Sequence, residues 1–271
     1  MRMTAPKAVR DNIARSRAYL ARGYLTRALE AMETALRAYS GTTLIGQPRF
    51  ETEVHIHEFV NDLNRNHTVR KFFEQRKVFS GPYVAYTPGE ELSLAERLES
   101  IRHAMLEDER ARAAEQAQKV LMRKMELTGN GQARLDAGDL PRGRALLRRV
   151  AEEWGHEPGV LSDIGQRFLR ARLFYEAAEL FEAALDVFPG EAQAYSGAVA
   201  AYMDLREYQK AESVYLRALR QFGSHPRTML NLAKLYMEWR KRDKAYEFAN
   251  RAAQADPSLA EARELVARLM R

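Results

Sequence analysis

The side chains best suited to metal or proton chemistry are six histidines: His55, His57, His67, His103, His156 and His225. A zinc site needs three or four converging ligands. His55 and His57 stand two apart. On a helix they point about 200° apart and cannot share an ion, whereas on a strand they share a face. No HExxH motif is present, and cysteine is absent. That removes thiolate ligands, cysteine nucleophiles and disulfides. There is no glycine-rich phosphate loop and no G-x-S-x-G elbow. Glu152 and Glu153 are adjacent on a charged helical stretch and read as a solvated pair. No nucleophile–base constellation is marked, so the expectation is a non-catalytic protein with no metal and no cofactor.

The elements that would position any site show an internal period. In the C-terminal half Ala177, Ala211 and Ala245 stand 34 residues apart. So do Phe168, Tyr202 and Tyr236; Gly165, Val199 and Ala233; and Ala184, Ala218 and Ala252. Pro189, Gly223 and Pro257 close the units, each a residue type that ends helices. Leu161, Ile164, Gly165 and Phe168 share one helical face, and Ala177, Phe181, Ala184 and Leu185 share another. Small residues where the two helices cross permit close approach, with aromatics filling the space beside them. No hairpin of this kind buries its apolar face alone, so neighbours must stack.

Three units follow from this spacing, at 158–191, 192–225 and 226–259. A degraded unit at 124–157 keeps Gly131, Leu140, Gly143, Leu147 and Val150 in register around the turn sequence AGDLPRG. Residues 260–271 form a capping helix, with Ala267 and Met270 in register and Leu265, Val266 and Leu269 covering the last core. Residues 8–39 make a further hairpin, with Tyr19, Leu25, Ala28, Met32, Ala35 and Leu36, but out of phase with the others. The domain boundary is placed at 123/124.

Residues 40–123 separate that hairpin from the array, with a helical insertion over 40–90. Phe50, Val54, Phe59, Val60 and Leu63 suggest a helix begun by Pro48, although FETEVHIH also alternates as a strand does. A short helix is expected over 68–79, with Val69, Phe72, Phe73 and Phe79. The Gly- and Pro-rich stretch 80–91 reads as a loop that exposes Tyr83 and Tyr86. These two tyrosines either meet a partner or fold onto neighbouring helices. A long helix runs from about residue 92 to 127, polar and alanine-rich in its middle.

The 34-residue unit resembles the tetratricopeptide repeat. The family pattern is roughly W-x2-L-G-x2-Y, then A-x3-F, then proline. Unit 158–191 carries Leu161, Ile164, Gly165, Phe168, Ala177, Phe181 and Pro189 at those places. The tryptophan is missing from all three clear units, and Ala249 replaces the second aromatic in the last. The resemblance implies an all-α fold: a right-handed superhelical stack of helix–turn–helix hairpins, here with an N-terminal helical lobe. It also implies a scaffold or adaptor that binds a protein or peptide in a concave groove lined by the first helix of each pair. The stripe one residue on from the core positions would face that groove. Its members are Ser162, Gln166, Leu169 and Arg170; Ser196, Ala200, Met203 and Asp204; and Arg227, Leu230, Lys234, Met237 and Glu238. Leu169, Met203 and Met237 recur at 34 residues and suit an apolar track, methionine being adaptable in shape. The alternative is that they pack against neighbouring repeats. One family subclass grips a C-terminal carboxylate with Lys, Asn and Arg. Only Arg227, Asn231 and Lys234 fit that chemistry here, so the clamp is incomplete.

The net charge is +6 over 271 residues, with a pI near 9.5. The basic excess lies at the two ends: eight Lys/Arg against three Asp/Glu in 1–39, and seven against four in 226–259. Nucleic-acid binding through Arg2, Lys7, Arg10, Arg15, Arg17, Arg22 and Arg27 is therefore an alternative. These residues spread around the helix, and only Tyr19 and Tyr24 lie among them. Pairing of two copies through the long helix or the terminal helix is a third reading. No apolar run is long enough to span a membrane, and the N-terminus has no apolar signal core. The expected location is the cytoplasm.

Overall fold

A computed structural model describes residues 4–270. Among these the chain is all-α, with thirteen helices and no strand. It divides into two compact units, with the division between Gln118 and Lys119. That point lies inside one uninterrupted helix.

The first unit is built on α1 (Lys7–Ala21) and α2 (Leu25–Ser40), which form the expected antiparallel hairpin. Then follow α3 (Gln47–Arg65), α4 (His67–Gln75) and the start of α5 (Glu91–Asp136). FETEVHIH is helical, and Pro48 sits in its first turn. The buried face of α3 is Thr52, Ile56, Phe59, Val60 and Leu63, whereas Phe50 is exposed. Asn66 caps α4 by accepting from the amides of Thr68 and Val69. α4 ends before residue 79, because Lys77 adopts a left-handed conformation and the Val78 amide closes back on Phe73 O. Phe79 is consequently exposed.

The loop after α4 decides between the two readings of its tyrosines in favour of folding onto neighbouring elements. Tyr83 and Tyr86 are not free. Tyr83 stacks on Phe73 with ring centroids 4.7 Å apart, and Tyr86 is buried, its hydroxyl donating to Glu91. Asn64 imposes this arrangement. Its Oδ1 accepts from the amides of Tyr83 and Val84, and its Nδ2 donates to Val84 O. A single half-buried amide thus satisfies a loop backbone that has no regular ladder.

The second unit begins within α5, which continues well past residue 127. The stretch 91–136 holds no proline to break it, and the helix passes through the proposed 123/124 boundary to supply the first helix of the degraded repeat. Its partner is α6 (Leu140–Trp154). Then come α7 (Val160–Arg170) with α8 (Phe174–Val187), α9 (Ala192–Asp204) with α10 (Tyr208–Phe222), and α11 (Pro226–Glu238) with α12 (Arg242–Ala255). The last element is α13 (Ala260–Leu269). From α6 to α13 each helix packs on the next in chain order, giving a stack of hairpins.

One contact shows how consecutive hairpins are joined. The fully buried Phe181 ring of α8 is wedged between two glycines. A Cβ on Gly165 would lie 2.9 Å from the ring, and one on Gly197 only 2.2 Å. Those distances are well inside van der Waals contact. Gly165 therefore admits Phe181 within its own hairpin, and Gly197 admits it from the next.

The turns inside the hairpins share one geometry. In the three clear units the amide after the turn residue bonds the carbonyl five back: Leu173 to Phe168, Glu207 to Tyr202 and Lys241 to Tyr236. Asp139 to Arg134 and Tyr24 to Tyr19 repeat it in the other two hairpins. This Schellman closure needs one residue in the left-handed region. Gly23 and Gly138 supply it at no steric cost. In the clear units it is supplied by Arg172, Arg206 and Arg240, with φ of 62°, 59° and 60°.

The outer helices are cross-linked by charge. Arg144 pairs with Glu176, Arg148 with Glu179, Arg217 with Asp186 and Lys244 with Glu212, each reaching from one second helix to its neighbour. Burial works to raise the Glu176 carboxyl, but the Arg144 hydrogen bond, a backbone hydrogen bond and the charges of Arg144 and Arg148 together outweigh it and hold the group below its ordinary range. Glu212 is likewise held low despite its burial, by donation from the Tyr236 hydroxyl and Lys244.

The terminal helix covers the last core with Leu265, Val266 and Leu269 as expected, but not in the 34-residue register. Ala262 and Leu269 are buried and Leu265 and Val266 half-buried, while Ala267 and Met270 are exposed. The buried face is thus shifted by one residue from the 34-residue register. It keeps the i, i+3, i+4, i+7 spacing of a single stripe facing the last hairpin.

Candidate functional site

The first helices of the repeats, α7, α9 and α11, carry the predicted stripe. Ser162 and Leu230 fall inside the core, at 1% and 3% exposure, and offer no surface to a partner. Arg170, Ser196, Asp204, Arg227 and Glu238 are exposed. Gln166, Leu169, Ala200, Met203, Lys234 and Met237 are half-buried. Leu169, Met203 and Met237 each pack against the core on one side. Each also occupies the same place in its hairpin, its carbonyl accepting from the amide of Arg172, Arg206 or Arg240. They form a repeated half-exposed apolar position at the end of each first helix.

The structure gathers part of this stripe into a cavity. Lys234, Met237 and Glu238 of α11 line a recess of about 440 Å³, closed by Glu261, Glu264, Leu265 and Arg268 of α13. Lys234 forms a salt bridge to Glu261 across it. The α13 residues were missed because 260–271 was read only as a cap. The available signal was that a helix following the third unit stands where the next first helix would, so its inward polar residues face the same recess.

The N-terminal cations are partly engaged. Arg17 pairs with Glu58 and bonds His55, and Arg27 lies over the Tyr24 ring. Arg2 lies outside the described residues. His57 stacks on Tyr86 with centroids 4.8 Å apart. Among the described residues no group of three or more His, Asp or Glu side chains is placed to hold a metal ion. No helix among them is long and apolar enough to cross a membrane.

A stack of hairpins with a 34-residue period, one Schellman turn per unit and small residues at each crossing defines an α-helical repeat protein. The tetratricopeptide repeat family model matches residues 162–226 and 197–260, and this part of the chain is a tetratricopeptide repeat array. No curated protein matches the sequence. Among solved structures, a crystal structure of MamA protein aligns with 54% of this chain and 80% of its own, at 18% identity and a TM-score of 0.43. MamA from residue 41 to its end, from Desulfovibrio magneticus RS-1, aligns with 54% of this chain and 83% of its own, at 17% identity and a TM-score of 0.41. YrrB, described as a TPR protein with an unusual peptide-binding site, aligns over 46% of this chain and 64% of its own, at 18% identity and a TM-score of 0.38.

Proposed function

We propose that this chain is a non-catalytic scaffold that binds an extended or helical segment of another protein along the first-helix face of its repeat array. The observation that supports this most is the recess lined by Lys234, Met237 and Glu238 together with α13. It combines an apolar floor with both signs of charge at its rim, the composition of a peptide site. The half-exposed Leu169 and Met203 extend an apolar track towards the earlier repeats. An affinity in the micromolar range, about −8 kcal/mol, suits a contact of this size.

The test is affinity capture with the tagged chain and with its L169S/M203S/M237S variant, each first shown to be equally helical by circular dichroism. Loss of the same protein from the variant supports the reading. Equal recovery moves the binding surface elsewhere.

Self-association is a second reading, favoured by one observation. Val120, Leu121, Met122 and Met125 of α5 are between 42% and 60% exposed, a cluster of apolar side chains on the first helix of the array. Light scattering that returns the single-chain mass of 31.1 kDa removes this reading. Nucleic-acid binding has less support, because Arg17 and Arg27 of the basic N-terminal helices already have partners.

A further inference from the structure

A second cavity, of about 480 Å³, adjoins the recess and shares Met237 and Arg268 with it. Its other lining residues are Arg240, Arg242 and Leu269. Three arginines therefore line one cavity with two apolar side chains, and among the described residues no Asp or Glu lines it. Arg242 is committed, donating from Nε and Nη2 to the carbonyl of Leu269 at the end of α13. Arg240 and Arg268 make no ion pair or hydrogen bond through their side chains among the described residues. Four cations on the second helices, Arg144, Arg148, Arg217 and Lys244, differ, each holding a carboxylate of the adjoining repeat.

Arg240 is also the residue that fills the strained left-handed turn position, where Gly138 serves the degraded repeat. The same is true of Arg172 and Arg206, both exposed and both without an ion partner among the described residues. A non-glycine residue there costs about 1–2 kcal/mol, and these side chains make no ion pair among the described residues that would offset it. Strain of this kind points to a use outside the chain.

We propose that Arg240 and Arg268, held beside Arg242, form a receptor for an acidic side chain of a bound protein segment, whose adjoining apolar side chain lies on Met237 and Leu269. Guanidinium groups match a carboxylate with paired N–H donors. An acidic protein segment fits better than a nucleic acid. Carboxylates interrupt each turn, at Glu176, at Asp204 and Glu207, and at Glu238 and Asp243, so no unbroken track for phosphates exists. Trp239, the best stacking platform nearby, is covered by Lys241 at 3.1 Å and stacked on Tyr208 and Tyr236. This proposal rests on the peptide-scaffold reading above and names the chemistry of its partner.

The probe is the peptide acetyl-Leu-Glu-Leu-Glu-Leu-amide, compared with its glutamine counterpart and with inorganic phosphate. Arginine Nε–Hε resonances of the full chain are followed by NMR. The expected result is saturable shifts at Arg240 and Arg268 with the acidic peptide. The glutamine peptide and the R240Q/R268Q variant should each weaken binding about tenfold or more, as lost charge-assisted hydrogen bonds require. Equal shifts with the glutamine peptide, or no shift at these arginines, overturn the proposal. Phosphate alone giving the same response at the same concentration also overturns it, and marks a simple anion site. R240Q/R268Q retaining the captured partner while L169S/M203S/M237S loses it leaves the groove standing and removes only the arginine receptor. The L169S/M203S variant, which leaves the pocket intact, should keep the arginine shifts.

Discussion

Replacing Gly197 by alanine tests how the repeats are joined. The added Cβ would lie 2.2 Å from Cζ of Phe181, with two further ring carbons at 2.4 and 2.6 Å. Ordinary contact needs 3.5–4.0 Å, so one side must retreat by more than 1 Å. Gly165 crowds the same Cε1–Cζ end of the ring from α7, so little room is left for it to retreat. The strain must therefore open the α8–α9 junction. Overpacking of this kind costs about 1–3 kcal/mol, and with the ring crowded from both helices the upper half of that range is expected, about 2–3 kcal/mol. Urea unfolding followed by circular dichroism should show the midpoint falling by about 1 M, for a slope of 1–3 kcal/mol per M. The double variant G197A/F181L shortens the side chain that clashes, so it should be more stable than the sum of the single effects by about 1–2 kcal/mol. A G197A protein within 0.5 kcal/mol of the parent, or a double variant that is strictly additive, refutes the wedge.

The strained turns should respond in the opposite direction. Each of R172G, R206G and R240G relieves about 1–2 kcal/mol of left-handed strain but gives back part through the freer unfolded chain, for a net gain of about 0.5–1 kcal/mol per site, read as a higher urea midpoint; an unchanged or lower midpoint contradicts the strain. Ser162 is 1% exposed and its hydroxyl has no partner among the described residues. S162A should raise stability by about 1 kcal/mol without altering partner capture, and lost capture would return Ser162 to the binding surface. Glu176 and Glu212 are held below their ordinary value of 4.5 in the folded chain. Their stabilisation is complete above that value and declines as pH falls through the lower folded values. Acid titration of the parent should therefore show steeper loss of stability below about pH 4.5 than an E176Q/E212Q variant shows, and parallel curves would dismiss these two groups as the cause.

The hairpins of the C-terminal half were legible from spacing alone. Ala177, Ala211 and Ala245 at equal intervals state that the same crossing recurs, because only a small side chain lets two helices approach there. The hairpin at 8–39 was legible for the same reason. The site was legible only in part. Counting along a helix finds Lys234, Met237 and Glu238, since all three lie on one element. It cannot separate Leu230 or Ser162, whose burial depends on the helix packed opposite, from Met237, whose exposure depends on a gap. Nor does counting reveal Glu261, Glu264 and Arg268, which join the recess only when α13 lies beside α11.

Sequence by itself determined the repeat length, the turn positions and the small residues at each crossing, because these are local requirements of a helix and its closure. Only the tertiary structure decided that α5 runs unbroken past residue 127, that Asn64 ties down Tyr83 and Tyr86, and that the terminal helix is set one residue out of register. It also decided which arginines are paired and which have no ion partner among the described residues. A side chain's partner is chosen by distance in space, and residues such as Arg240 and Arg268 meet only when separate helices are packed together.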